Sequence, residues 1–390
     1  MTARTKVCLV AASDVRADHH WDASAGDLAL RCAGSLLDGP FGEHIDTVFV
    51  AAPVLDQAAL GPVLVDRLGL SGDTSVYQLE AGDGAGGAAL HAAVAHVGAG
   101  FSRCALLLGV SKVADMQERE RGTLLDALLD REVESPLGLT FQSQAGLLAD
   151  LYLSRHGLKP GALAHVVAKN AANAVLGGET FLSHAPTAQE IMRDLPVAPP
   201  LVRSDFAPIL DGATAVIVCA EDLARQHGIS PVMVDSIGGG SDIAVLADRP
   251  DPLVFRAVRA ATARALDRAN VRLGEMAYVD IASACTIAEI LALESLEVTE
   301  PGQTGARCKE GFGRVAHARV VNPGGAAQGR GLALGTCGIV QAREAFLQLG
   351  AGAGKRQASA AEASGAKALA VSLVGLGSAA YATVFSRGGA

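Results

Sequence analysis

Glu80-Ala81-Gly82-Asp83-Gly84-Ala85-Gly86-Gly87-Ala88-Ala89-Leu90 joins a short alternating run, Ser75 to Leu79, to an Ala-rich stretch that continues through Val97. Alternation followed by a glycine turn and a helical run reads as strand, tight turn and helix. Gly82, Gly84 and Gly87 satisfy G-x-G-x-x-G, the pattern of a dinucleotide-binding turn. Two features weigh against that use. The turn is not in the first β-α unit, and the next strand, Cys104 to Val110, is followed by Ser111 rather than by the acid that holds a ribose. A structural reading is also open, in which the glycines let the helix start close to the sheet with Asp83 as its N-cap.

Outward from this turn, strands and helices alternate. The first half reads as strand Lys6 to Ala12, helix Ala25 to Leu37, strand Asp46 to Ala51, helix Leu60 to Leu68, then the quoted segment and strand Cys104 to Val110. From about Asp251 the order recurs: helix Val254 to Ala269, strand Ala277 to Ile281, helix Ile287 to Leu296, strand Ala318 to Val321, a Gly-rich loop from Gly324 to Gly335, and helix Ile339 to Leu349. Two strands around a glycine turn, Val371 to Val374 and Tyr381 to Phe385, close the chain. This is an internal duplication in an α/β protein. The more polar, proline-bearing segment from about Asp115 to Asp205 reads as an insertion, after which Asp211 to Cys219 returns to the first half as a strand. The expected units are 1–115 plus 206–250, an inserted loop domain 116–205, and a second half 251–390.

Composition bounds the partners. The chain has 390 residues, 50% hydrophobic and 19% charged, with 41 acidic against 32 basic side chains and a net charge of −9. Such a chain buries a large core, and without a basic run it has no footprint for nucleic acid or an anionic membrane. Seven cysteines without a C-x-x-C argue against a disulfide framework or a zinc site, so no metal is expected and the cytoplasm is the expected compartment. The uncharged stretch Ala368 to Ser386 is interrupted by Ser372, Gly375, Gly377, Ser378 and Thr383, which favours two buried strands over a membrane span.

The quoted segment resembles the nucleophile turn of thiolases, especially those of the sterol-carrier-protein type, where Glu-Ala-Ala-Cys-Ala-Ser-Gly-Gly-Ala-Ala is usual. The resemblance extends along nearly the whole chain. Ala168-Lys169-Asn170 to Asn173-Ala174 resembles the family's loop-domain helix, and Asp211-Gly212-Ala213 its Asp-Gly-Ala-Ala strand. Thr286-Ile287-Ala288-Glu289 resembles the helix after its His-Asp-Cys-Phe loop. Val321-Asn322-Pro323-Gly324-Gly325 and Gly335 to Gly338 resemble the two ends of its Gly-His-Pro loop. The implied fold is the duplicated thiolase fold, layered α-β-α-β-α with an inserted loop domain. A CoA thioester is implied as ligand or substrate with no covalently bound cofactor, and a homodimer as the assembly.

The chemical positions depart from the family. Asp83 stands at the acyl-accepting cysteine, Ala282 at the Asn or His, Ser283 and Ala284 at the Asp and Cys that follow, and Leu332 at the His of Gly-His-Pro. A lost general base costs about 10²–10⁴ in rate and a lost oxyanion donor about 10²–10³. Backbone N–H groups of Asp83 and of Gly375 or Gly377 remain as candidate oxyanion donors. A carboxylate about 4 Å from a developing oxyanion opposes it by up to about 4 kcal/mol at an effective dielectric near 20. The helix dipole is expected to lower the basicity of Asp83. Cys285, one residue past the family's cysteine, and Cys337 border the expected pocket without a histidine in their motifs.

Gly84, Gly324, Gly325, Gly335, Gly375 and Gly377 are the expected substrate-binding positions, and Arg155, Lys159 and Lys169 the basic residues nominated for CoA. Two functions follow from the resemblance. One is an acyl-CoA-binding subunit of acyltransferase ancestry without ordinary thiolase activity, acting with a partner such as a small OB-fold, zinc-ribbon protein. The other is an altered C–C bond enzyme, a retro-aldolase releasing a short acyl-CoA, for which Tyr278 and Tyr381 are the candidates, while Asp83 at the nucleophile position, Ser283 and Cys285 are the remaining candidate catalytic side chains.

Overall fold

The computed structural model describes residues 5–53, 58–70 and 72–388. The first half contains β1 (Val7–Asp18), α1 (Ala25–Leu37), β2 (Thr47–Ala51), α2 (Leu60–Arg67), β3 (Ser75–Leu79), α3 (Ala85–Gly98) and β4 (Cys104–Ser111). The insertion carries α4 (Phe141–His156) and α5 (Gly161–Gly177). After it come β5 (Asp211–Ala220), β6 (Val232–Ser241), α6 (Arg256–Ala269), β7 (Met276–Ala282), α7 (Thr286–Ser295), β8 (Val320–Val321), α8 (Ile339–Leu349), β9 (Lys367–Val374) and β10 (Ala379–Arg387).

Hydrogen bonding joins these ten strands in the order β8-β7-β9-β10-β6-β1-β5-β4-β2-β3. Read outward from the middle, the halves are the same: β1-β5-β4-β2-β3 matches β6-β10-β9-β7-β8. The pairing senses match as well. β5 and β10 run antiparallel to both neighbours, whereas β4, β2 and β3, like β9, β7 and β8, run parallel. The halves meet where Val7 to Leu9 pairs antiparallel with Val232 to Val234. The duplication inferred from sequence is therefore present strand for strand.

The helices stack in layers. α3 and α8 each pack against strands of both halves and against one another, α1 covers the outer face of β1, β4 and β5, and α6 covers β6 and β10. The apolar cluster between the half-sheets joins Ala85, Ala89 and Ala93 of α3 to Ile339, Ala342 and Ala345 of α8, with Phe49 and Phe385 from the two sheets. Small side chains are needed here. A Cβ on Gly86 would fall 1.9 Å from the Cys337 carbonyl oxygen, and one on Gly338, at φ +87°, 2.3 Å from the Gly87 nitrogen. The two central helices thus begin backbone against backbone, which accounts for glycines at the start of α3 without a dinucleotide.

The insertion is fastened to the second half by buried polar bonds. Lys169 Nζ lies 2.8 Å from Glu289 Oε1, Asn170 Nδ2 donates to Glu289 Oε2 at 2.5 Å, and Asn173 Nδ2 donates to the Asn322 carbonyl at 3.0 Å. Strand β6 had no counterpart in the sequence reading, and the expected strand Ala318 to Val321 is only two residues long. Among the described residues no helix is long and apolar enough to cross a membrane.

Candidate functional site

Four turns at one end of the sheet converge on Asp83: the β3–α3 turn, the β7–α7 turn at Ala282–Cys285, the loop through Leu332 to Gly338, and the β9–β10 turn at Gly375–Ser378. Asp83 lies in a 3₁₀ turn, Gly82–Gly84, that precedes α3. The N-cap of α3 is Gly84, and no side chain caps it. The expected N-cap role of Asp83 is therefore corrected: its carboxylate turns across the fold and accepts the Gly375 N–H at 2.8 Å through Oδ1. Its Oδ2 is buried without a hydrogen-bond partner among the described residues.

This contact changes two expectations. The Gly375 N–H, counted as a candidate oxyanion donor, is occupied by Asp83 itself. The basicity of Asp83 moves opposite to the dipole argument, because burial lifts the carboxyl from its ordinary value to about 7 and outweighs the backbone N–H groups of Gly375 and Asp83 that draw it down. Residue 83 is only 2% exposed. Desolvation of an anion with half its oxygens unpaired exceeds what the first turn of a helix returns.

Leu128, from the insertion, stands over the turn. A Cβ on Gly82, at φ +56°, would fall 2.2 Å from Leu128 Cδ2, and one on Gly375, at φ +53°, 3.4 Å from Leu128 Cδ1. One leucine thus packs over the β3–α3 turn of the first half and the β9–β10 turn of the second. Nothing in the sequence near either turn signals it, since it reaches them only through tertiary packing.

The other nominated residues are distributed as follows. Ser283 is buried and donates to the Cys285 carbonyl at 3.3 Å. Cys285 and Cys337 are buried thiols pushed up to about 12, chiefly by desolvation, with the Asp83 charge raising both further. Both are therefore protonated thiols at neutral pH. Leu332 is fully buried, its backbone bonded to the Pro208 carbonyl and to the Leu210 N–H. Tyr381 lies mid-strand in β10, edge-on to His91 at 5.3 Å, and Tyr278 lies inside the core cluster between the half-sheets. His91 is half-buried, held well down at about 4 by desolvation, and bonded to the Ala382 carbonyl.

Of the glycines, Gly84 faces the Leu373 carbonyl and Gly335, at φ +87°, the Ala51 carbonyl, both next to the turn. Gly325 packs on α5 at Asn170 and Ala174, Gly324 on Arg330 and Glu344, and Gly377 on the Phe255 ring. Lys169, nominated for CoA, is instead buried against Glu289, and Arg155 is paired with Asp251 at the surface.

Behind Ala282 and Cys337, a narrow cavity of about 50 Å³ is lined by Asp280, Gln341, Thr214 and Arg330. It has room for only a few waters. Asp280, raised to about 7 by burial and then by Glu344, is bonded through its carbonyl to Gln341 at 2.8 Å. Sequence reading passed over it, because an aspartate inside an apolar strand carries no motif. No group of three or more His, Cys, Asp or Glu gathers as a metal site among the described residues.

Duplicated half-sheets around two central helices, with glycine turns converging at one end, define the thiolase class of α/β fold, and comparison with known proteins places the chain within it. The family described as thiolase C-terminal domain-like matches residues 238–387. The acetyl-CoA acetyltransferase of Methanothermobacter thermautotrophicus is 31% identical over 362 residues, covering 91% of this chain and 94% of that protein. Sterol carrier protein 2 of Rattus norvegicus is 25% identical over 325 residues, 78% of this chain and 57% of that protein. Among solved structures, the Ltp2-ChsH2(DUF35) aldolase superposes with a TM-score of 0.83 at 13% identity over 99% of both chains. The chain belongs to the thiolase superfamily.

Proposed function

We propose that this chain is an acyl-CoA-binding member of the superfamily that carries out neither thiolysis nor Claisen condensation and works as a subunit alongside a partner. The observation that carries this reading is the Asp83–Gly375 contact. A carboxylate occupies the position expected for the acyl-accepting sulfur and takes an N–H that would otherwise meet an oxyanion. An acyl-aspartyl product would be a labile anhydride rather than a thioester. The nearest thiols, Cys285 and Cys337, are held protonated. The two-component name of the Ltp2-ChsH2(DUF35) aldolase supports a partner, here an OB-fold zinc-ribbon protein. The edge strand β3, with Tyr77 and nearby Phe101 exposed, supports a homodimer, and seven free cysteines fit the cytoplasm as its compartment. Calorimetric titration with CoA, acetyl-CoA and a longer acyl-CoA tests the binding claim. Micromolar binding is expected, and no binding at millimolar ligand would refute it.

A second reading, a retro-aldolase, is favoured by one feature of the same residue. A buried carboxyl at about 7 with a free Oδ2 is a proton acceptor matched to neutral pH. Oδ2 would take the hydroxyl proton of a 3-hydroxyacyl-CoA as its Cα–Cβ bond breaks. The carbonyl compound would leave, and the electron pair would remain on the acyl-CoA enolate until it is reprotonated. Asp83 suits this role better than Tyr381, which lies within a strand. Loss of carbonyl release in Asp83→Asn, with a wild-type rate rising through about pH 7, is the expected signature. Unchanged release in that variant would dismiss it.

A further inference from the structure

At the end of the sheet remote from Asp83, a groove of about 1140 Å³ runs across the start of β1, the start of β6, the start of β9 and the end of β10. Lys367, at its edge, begins the strand that ends one residue before Gly375, so roughly 23 Å of extended chain separates the groove from the Asp83 turn. Its volume exceeds that of many small-molecule pockets.

The groove is cationic in a chain whose net charge is −9. Two acids line it and both are engaged: Glu221 is 2.8 Å from Arg225 and 3.8 Å from Lys6, and Asp235 is 2.7 Å from Lys367. Two guanidinium groups have no carboxylate partner among the described residues. Among these residues Arg268 donates only to the Ile237 carbonyl, at 2.6 Å. The Arg387 Nη1 is turned inward, buried, and without a hydrogen-bond partner among the described residues. An unpaired buried N–H of a charged group is costly, so an oxyanion that draws Arg387 into the groove gains a bond without breaking one. The wall is mixed, and Val94, Ile229, Met233 and Ile237 give it apolar side chains among its polar ones.

We propose that this groove binds an aliphatic carboxylate of medium to long chain, with Arg268 and Arg387 holding the head and those apolar side chains holding the chain. Free fatty acids and alkyl phosphates share the required chemistry, and the carboxylate is the ligand proposed. The test is calorimetric titration of the full chain with laurate, dodecyl phosphate, dodecanol and inorganic phosphate, each below its micellar range, for wild type, Arg268→Gln and Arg268→Gln/Arg387→Gln. Thermal melting of each variant checks folding, and the surface residue Arg268 gives a variant that keeps the fold. Laurate is expected to bind at least tenfold more tightly than dodecanol, to lose that margin in the double variant, and to remain bound under saturating acetyl-CoA. Equal binding of laurate and dodecanol, an unchanged margin in folded variants, displacement by acetyl-CoA, or preference for dodecyl phosphate or phosphate alone would each overturn it.

Discussion

Replacing Asp83 with asparagine removes a single titration from a closed site, and its energetic consequence follows from the structure. In the unfolded chain the carboxyl titrates near 4; in the native chain burial moves it up to about 7. The native state therefore keeps a proton that the unfolded state releases between these values. A raised native value means that stability is greatest below about pH 4 and falls as pH rises to about 7, beyond which it is flat with respect to this group. The whole span corresponds to roughly 4 kcal/mol, of which roughly 3 kcal/mol lies between pH 5 and pH 8.5. Asparagine keeps an acceptor for the Gly375 N–H and does not titrate. Urea unfolding of wild type and Asp83→Asn at both pH values isolates the effect, because the other shifted groups, Asp280, Asp205 and His91, cancel in the difference. The variant is expected to gain roughly 3 kcal/mol relative to wild type on going from pH 5 to pH 8.5. A difference that stays constant within about 0.5 kcal/mol would refute the dominance of burial over the helix dipole at this turn.

Leu128→Ala should admit water to Asp83 and move its carboxyl down toward the ordinary range, read by ¹³C NMR of labelled aspartate; an unmoved titration would show that Leu128 does not seal the site. Lys169→Met leaves Glu289 charged and buried, at an expected cost of about 3–5 kcal/mol in urea unfolding, whereas Lys169→Met/Glu289→Leu should recover most of it. All seven cysteines are free and buried, so Ellman's reagent should titrate almost none of them in the native protein at pH 7.5 and seven after unfolding. A fast native thiol that disappears in Cys285→Ser or Cys337→Ser would contradict their protonated, enclosed state.

Much of the fold was legible because its signals are local. Ser75–Leu79 and Ala25–Leu37 run as their alternation and periodicity indicate, and the recurrence of the strand–helix order after Asp251 exposed the duplication. Strand β6 escaped because Gly238-Gly239-Gly240 reads as a loop. The structure shows why glycine is needed there: a Cβ at Gly238 or Gly240 would lie 2.2 or 2.3 Å from the Ala261 or Ala257 carbonyl oxygen of α6, which packs directly on the sheet. At the site, the substituted positions could be read from motif spacing, but the state of Asp83 could not. Its upward direction comes from burial by residues distant in sequence, against which a Gly375 N–H from the other half pulls it down. Local sequence carries the influence of the helix dipole, whereas burial comes only with the assembled fold.

Cleavage of acetoacetyl-CoA in the presence of free CoA, by purified chain free of any host thiolase, is the most direct test of the loss of thiolase chemistry. No turnover above the protein-free blank is expected at any pH between 6 and 9, and no acetyl adduct should appear in the intact mass. Sustained cleavage, with an acetyl group on Cys285 or Cys337, would contradict the assignment and place the nucleophile on one of those two sulfurs.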